Sequence, residues 1–250
     1  MTSKTNYILH LADNALILGH RNSEWCGHGP ILEQDIAISN ISLDLIGQAR
    51  NFYQYAAVLK NDGSTEDTLA YHRDSHDFLN ILLVEQPKGD WAVTILRQFL
   101  FSAYQQLLFE ALRHANDAQL AAIAAKAIKE ITYHLRWSSE WVIRLGDGTT
   151  ESKQRMEDAI ALIWCYTDEM FIPANFEHAL VLGGEITDIS QLKGQWHQNV
   201  KSVFDEATLQ VPGSSLALNG GKEGKHSPHL EVILKEMQSV ARAHPSSAAW

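Results

Sequence analysis

Three observations predict an all-α protein. Apolar residues recur at helical spacing through most of the chain, turn residues interrupt that spacing at short intervals, and alternating Val/Ile/Thr segments are few. With 250 residues, 45% of them hydrophobic, the chain can bury one substantial core without disulfides or metals to hold it.

The elements follow in order. Residues 5–20 read as a first helix, ended by Cys26-Gly27-His28-Gly29, and Pro30 suits the first position of the next. Over 31–60 the positions Ile31, Asp35, Ile38, Ser42, Leu45, Ala49, Phe52 and Ala56 repeat at spacings of four and three, a mostly apolar stripe along one long helix. Asn61-Asp62-Gly63-Ser64 is a loop, and 66–84 is predicted as a further helix before Pro87-Lys88-Gly89. Asp90 then caps a helix over 91–115, and Asn116-Asp117 separates it from one running to 145. Gly146-Asp147-Gly148-Thr149-Thr150 joins a C-cap to an N-cap, so the neighbours are antiparallel. Residues 151–171 make the fourth long helix, with shorter helices near 174–181 and 188–208. Beyond Pro212 the chain turns Gly- and Ser-rich, then regains a helix over 228–243. The pattern fits a ferritin-like four-helix bundle with additional N- and C-terminal helices. We expect one domain spanning 1–250, with 209–250 as a tail that wraps the bundle or a partner.

Helix 117–145 carries two traceable stripes: Leu120, Ala124, Ile128, Ile131, Leu135, Val142, and Ile123, Ala127, Glu130, His134, Trp137, Trp141. Apolar on two sides, it is expected to be central, with Trp137 and Trp141 in the core. Glu130 and His134, one turn apart, then lie in line with core residues. Left alone in an apolar interior either would cost several kcal/mol or shift its pKa until neutral. A dimetal bundle meets this need with one Glu from each of two helices and Glu-x-x-His from each of two others. No helix of this chain carries Glu-x-x-His. Glu110/His114 and Glu130/His134 are spaced by four, helix 151–171 offers Glu157 and Asp168 without histidine, and Glu223 to His226 falls in the Gly-rich tail. We therefore expect no metal ligands and no catalytic residues here, but a structural polar centre of Asp44, Lys126, Glu130 and His134, with Arg97 as a further partner. The alternative is a self-sufficient dimetal oxidase using Glu110/His114 and Glu130/His134, since residues four apart share a helix face.

Other chemistry finds less support. Gly220-Gly221-Lys222-Glu223-Gly224-Lys225 lacks the strand and spacing of a P-loop and reads as a flexible turn with solvated lysines. Cys26 with His28 sits in a loop, and no nucleophile elbow surrounds any serine. A net charge of −10 and the absence of basic clusters argue against nucleic acid as a partner. Apolar runs fall short of the ~20 residues a bilayer requires. Two distant cysteines and polar residues scattered through the N-terminus point to a reduced, cytoplasmic protein.

Five blocks carry a family resemblance: Glu24-Trp25-Cys26-Gly27-His28, Leu43-Asp44-Leu45-Ile46-Gly47-Gln48-Ala49-Arg50-Asn51, Leu83-Val84-Glu85-Gln86-Pro87, Lys126-Ala127-Ile128-Lys129-Glu130 and Tyr133-His134-Leu135-Arg136. With Gly220-Gly221-Lys222, His226 and Glu236-Met237-Gln238 in the tail, the chain resembles the structural C subunits of bacterial phenylacetyl-CoA epoxidases over nearly its whole length. The resemblance departs from the pattern in loops and over 174–219. It implies a ferritin-like bundle without its metal site, paired with a catalytic A subunit that holds a di-iron centre. It further implies a reductase with FAD and an iron-sulfur cluster drawing on NADPH, small accessory subunits, and aerobic phenylacetate degradation through ring epoxidation. On the same footing, phenylacetyl-CoA lies at the A–C interface, with Asp77, Phe78, Leu79 and Asn80 on the helix over 66–84 and His178, Ala179 and Leu180 as contacts. Helices 31–60 and 91–115 are then expected to present an extended face to the partner.

Overall fold

The computed structural model describes residues 2–213 and 216–244, and among them the regular structure is entirely helical. Contacts group into two compact units. The first takes the N-terminal segment to Gly29, Glu33–Pro87 and the chain from Gly220 onward; the second takes Pro30–Leu32 and Lys88–Asn219. The expected tail is thus divided, with 209–219 in the second unit and Gly220 onward in the first.

In the first unit, α1 (Ser3–Ser23) opens at Thr2, whose hydroxyl accepts from Thr5 N–H. Nearly all of it is buried, including His10, Asp13, Asn14 and Asn22. Helix α2 (Leu32–Lys60) begins two residues after Pro30. Asp35, in its first turn, accepts from Gly29 N–H at 2.8 Å and ties down the glycine-rich turn before it. The expected stripe is buried from Ile38 through Leu45, Ala49 and Phe52 to Ala56, whereas Ile31 is exposed and Asp35 only half-buried.

The helix predicted over 66–84 is broken into α3 (Glu66–Tyr71), a 3-10 turn at Ser75–Asp77 and α4 (Leu82–Glu85). The cause lies in α1. Leu79 N–H donates to Asp13 Oδ2 at 2.8 Å, Leu79 C=O accepts from His10 Nδ1 at 2.6 Å, and Ile81 N–H donates to Asn14 Oδ1 at 2.9 Å. Side chains satisfy backbone groups that a helix would otherwise have paired, so an extended stretch can be buried without loss. Further along the chain, α10 (Pro228–Met237) packs on α1, α4 and the 3-10 turn. With α11 at Ser239–Ala243, the predicted helix over 228–243 is interrupted at Gln238.

The second unit is built around α5 (Trp91–Leu112), capped by Asp90, whose carboxylate accepts from Val93 N–H. Every residue from Ala92 to Gln105 is buried. Helix α6 (Ala118–Gly146) runs antiparallel to it, with Trp91 against Trp137 and Gln106 against Thr132. Helices α7 (Thr150–Ile163) and α9 (Lys193–Glu206) complete the packing, and α8 (Asn175–Leu182) lies between them in sequence. Trp164, Trp196, Phe204 and Phe171 form an aromatic cluster with ring centroids 5.2–6.1 Å apart, and Trp196 Nε1 donates to Leu100 C=O at 3.1 Å. The predicted helix over 151–171 ends at Ile163 and continues as 3-10 turns through Phe171.

The roles expected of the two longest helices of this unit are exchanged. Helix α5 is the central one, and α6 buries a single stripe: Leu120, Ile123, Ala124, Ala127, Ile131, His134, Ser138 and Val142. Trp137 and Trp141 flank that stripe and are half-buried, not core. Because α5 is buried on all sides from Ala92 to Gln105, that stretch leaves no extended face of the kind expected of 91–115.

The glycine-rich turn of the tail is built for close approach. A Cβ on Gly221 would overlap the carbonyl oxygen of Asn80, and Gly224, at φ +74°, lies against the carbonyl of His76. Lys222 between them is buried, contrary to the solvated turn expected. Gly221→Ala should cost about 1–3 kcal/mol, since backbone and not a flexible side chain must yield; a lowered urea midpoint at unchanged slope checks it.

Candidate functional site

The first unit contains a buried polar network that no sequence motif announces. At one end Asp13, fully buried, receives the guanidinium of Arg73, the hydroxyl of Tyr53 at 2.5 Å and the main chain of Leu79. Arg73 also donates to Tyr53 Oη at 3.2 Å, to Asp77 C=O at 2.7 Å and to Leu69 C=O at 2.5 Å, and it stacks over the Phe78 ring at 4.2 Å. Burial and the adjacent Asp13 charge raise the Tyr53 phenol well above its ordinary pKa. Burial alone would lower Arg73, but the Asp13 carboxylate outweighs it and holds the guanidinium up.

At the other end Glu85, also fully buried, accepts from His226 Nδ1 at 2.7 Å, Ser227 N–H at 2.6 Å and Asn80 Nδ2 at 2.9 Å. Arg21 donates twice to the Glu85 main-chain carbonyl and once each to the His229 carbonyl and the Glu24 carboxylate. His20 is held down to about 4 by burial, against the pull of Glu24. Gln238 reaches the carbonyls of Ala70 and Arg73, bringing α10 and α11 to the same segment. The network therefore fixes residues 70–85 between α1 and the C-terminal helices. Sequence reasoning missed Asp13, Tyr53 and Arg73; the one available signal was the set of polar residues within the apolar face of α1.

The expected polar centre takes a different form. His134 and Arg97 are fully buried in the second unit, Asp44 and Glu130 are half-buried, and Lys126 is exposed. Lys126 lies off the single buried stripe of α6, so its ammonium reaches water and it cannot belong to a buried centre. Glu110 and His114 lie at the open end of α5. Arg113 pairs with Glu110 at 3.0 Å and donates to His114 Nε2 at 3.1 Å. Among the described residues, no three His, Cys, Asp or Glu side chains converge as a metal site would require. The donor set thus does not fit a dinuclear centre. Cys26 and His28 form no thiol–imidazole pair, since the His28 ring meets the Cys26 carbonyl.

The candidate substrate contacts are split by burial. Phe78, Asn80 and Leu180 are buried and have no face to offer a ligand; Asp77, His178 and Ala179 are exposed and Leu79 is half-buried. Residues 78–80 lie outside any helix, in the stretch held by α1. A groove of about 660 Å³ in the first unit is open and lined by both charge signs, with Asp74 paired to Arg242 along it. No described helix is long and apolar enough to cross a membrane.

A family model described as "Phenylacetic acid catabolic protein" matches residues 1–250. The chain belongs to that family. It is also 49% identical over 245 residues to the C subunit of the 1,2-phenylacetyl-CoA epoxidase of Escherichia coli (strain K12), covering 98% of each chain. Glu85 and His226, both among the residues that carry the resemblance, meet at 2.7 Å in this chain.

Asp13→Ala should leave Arg73 and the Leu79 amide without their buried acceptor and cost about 3–5 kcal/mol. Tyr53→Phe removes one hydrogen bond and should cost about 1 kcal/mol. Urea unfolding of both single variants and the double variant checks the values and the coupling between them.

Proposed function

We propose that this chain is the C subunit of a 1,2-phenylacetyl-CoA epoxidase, a non-catalytic scaffold that supports a di-iron A subunit. The observation that carries the reading is the 49% identity to the Escherichia coli C subunit across 98% of both chains. Two features of the chain support the scaffold role. Glu110 and His114 are engaged by Arg113, Glu130 is only half-buried, and among the described residues no three His, Cys, Asp or Glu side chains gather as metal ligands. Large apolar side chains also stand exposed along α2, at Leu32, Ile36, Leu43 and Val58, where a partner protein would cover them.

On this reading the bundle is ferritin-like and cytoplasmic. Electrons come from a reductase carrying FAD and an iron-sulfur cluster, small accessory subunits complete the assembly, and phenylacetyl-CoA lies between A and C. Asp77, Leu79, His178 and Ala179 are the side chains of the two candidate segments with exposure enough to meet it. The self-sufficient dimetal oxidase is the lesser reading, because Glu110 and His114 are engaged by Arg113 at an exposed helix end.

The test is to purify the chain alone and with the A subunit, assay iron in each, and measure phenylacetyl-CoA oxidation. Iron and turnover should track the A subunit; stoichiometric iron or turnover by this chain alone would defeat the proposal. Leu43→Asp should weaken association with the A subunit about tenfold or more while leaving the far-UV spectrum unchanged, as checked by calorimetric titration.

A further inference from the structure

His226 differs from an ordinary buried histidine in what its two ring nitrogens face. Nδ1 lies 2.7 Å from a Glu85 carboxylate oxygen and Nε2 lies 2.9 Å from the Phe78 carbonyl oxygen. The carbonyl accepts only, as does the Glu85 carboxylate in its ionised form, and a neutral imidazole has a single N–H. One contact would then set lone pair against lone pair at hydrogen-bond distance, which an imidazolium avoids by donating twice. His10 in the same unit shows the contrast: its Nδ1 donates to Leu79 C=O while its Nε2 accepts from Asn14 at 3.2 Å, so one proton suffices.

The second requirement comes from Glu85. Its side chain is 0% exposed and that of His226 4% exposed. A carboxylate taken out of water needs a positive partner or a full set of donors. Arg21 directs its guanidinium to main-chain carbonyls and to Glu24. The carboxylate itself receives His226, Ser227 N–H and Asn80, and two of these three come from the segment that begins at Gly220.

We propose that His226 is a doubly protonated clasp, and that loss of one ring proton releases the chain from Gly220 onward from the rest of the first unit. Asp13 also acts on the ring through its charge. The other charged or titratable groups on the surrounding elements are Lys4, His10, His20 and Arg21 of α1, Arg73, Asp74, His76 and Asp77 before α4, and Lys222, Glu223, Lys225, His229 and Glu231 on its own segment. Burial opposes the charge on His226, but Glu85, the Phe78 carbonyl and Asp13 outweigh it, so its pKa stands above the ordinary histidine value. The sign follows: the clasp is at full strength below the unfolded histidine pKa of about 6.5 and is lost as pH rises through the higher folded value.

The test uses the full chain with nitrogen-labelled histidine. At pH 6 the nitrogen shifts of His226 should report both ring nitrogens protonated, titrating above the free histidine value. Hydrogen exchange at the amides of Ser227, Leu230 and Gln238, corrected for intrinsic rates, should then accelerate by up to about tenfold per pH unit above that pKa. Amides of α5 should not follow. In H226Q, which retains a donor but no titrating charge, the tail should be less protected and its exchange flat with pH. A singly protonated ring at pH 6, tail protection indifferent to pH in the wild type, or a pH dependence that survives in H226Q would each overturn the proposal. The ring titration of the wild type decides the matter by itself should H226Q fail to fold.

Discussion

Two carboxylates withdrawn wholly from water, Asp13 and Glu85, constrain the first unit more than any apolar contact within it. Hydrophobic burial is permissive about detail, whereas a buried carboxylate requires donors at fixed distances and directions. Asp13 draws in Arg73, Tyr53 and the backbone of Leu79; Glu85 draws in His226, Asn80 and the backbone of Ser227. Between them the chain over 72–81 keeps no helical pairing beyond one 3-10 turn, and the glycines at 221 and 224 allow the tail to lie directly on it. Such groups add little net stability over a well-packed apolar alternative. What they supply is a single arrangement.

The helical character of the chain, most of its boundaries and its caps were legible in the sequence because they rest on local chemistry. Asp90, Asp117 and Thr149 cap where short polar side chains precede apolar periodicity, and α2 buries the stripe that its spacing announces. The break between α3 and α4 was not legible, since nothing within 66–84 forbids a helix; the donors and acceptors that dissolve it lie on α1, more than sixty residues earlier. Local preference gave way to a long-range polar match. Similarly, nothing in the Glu-x-x-His spacing of residues 223–226 points to the partner of His226, which is Glu85, 141 residues away.

Helices α5 and α6 show a second limit of periodic reading. On α6, aromatic and aliphatic residues extend round two sides, yet only one side is buried, because tryptophans can lie half-covered on a helix flank. On α5, polar residues such as Arg97, Gln98 and Gln105 dilute the apolar pattern although each is buried, and Gln98 finds Ser102 at 2.8 Å. The absence of Glu-x-x-His from every helix is a reading of a different kind, since it concerns which ligand types exist and not where they point.

The order of segments along the chain has a consequence for biosynthesis. The second unit is almost continuous, from Lys88 to Asn219, and can condense as it leaves the ribosome. The first unit is begun by the earliest residues and closed only by those after Gly220, so Glu85 emerges well over a hundred residues before its imidazole partner. Until His226 and Ser227 have been made, Glu85 lacks two of its three donors, and a charge destined for a dry interior stays hydrated. The first unit, although begun earlier, therefore reaches its final packing after the second.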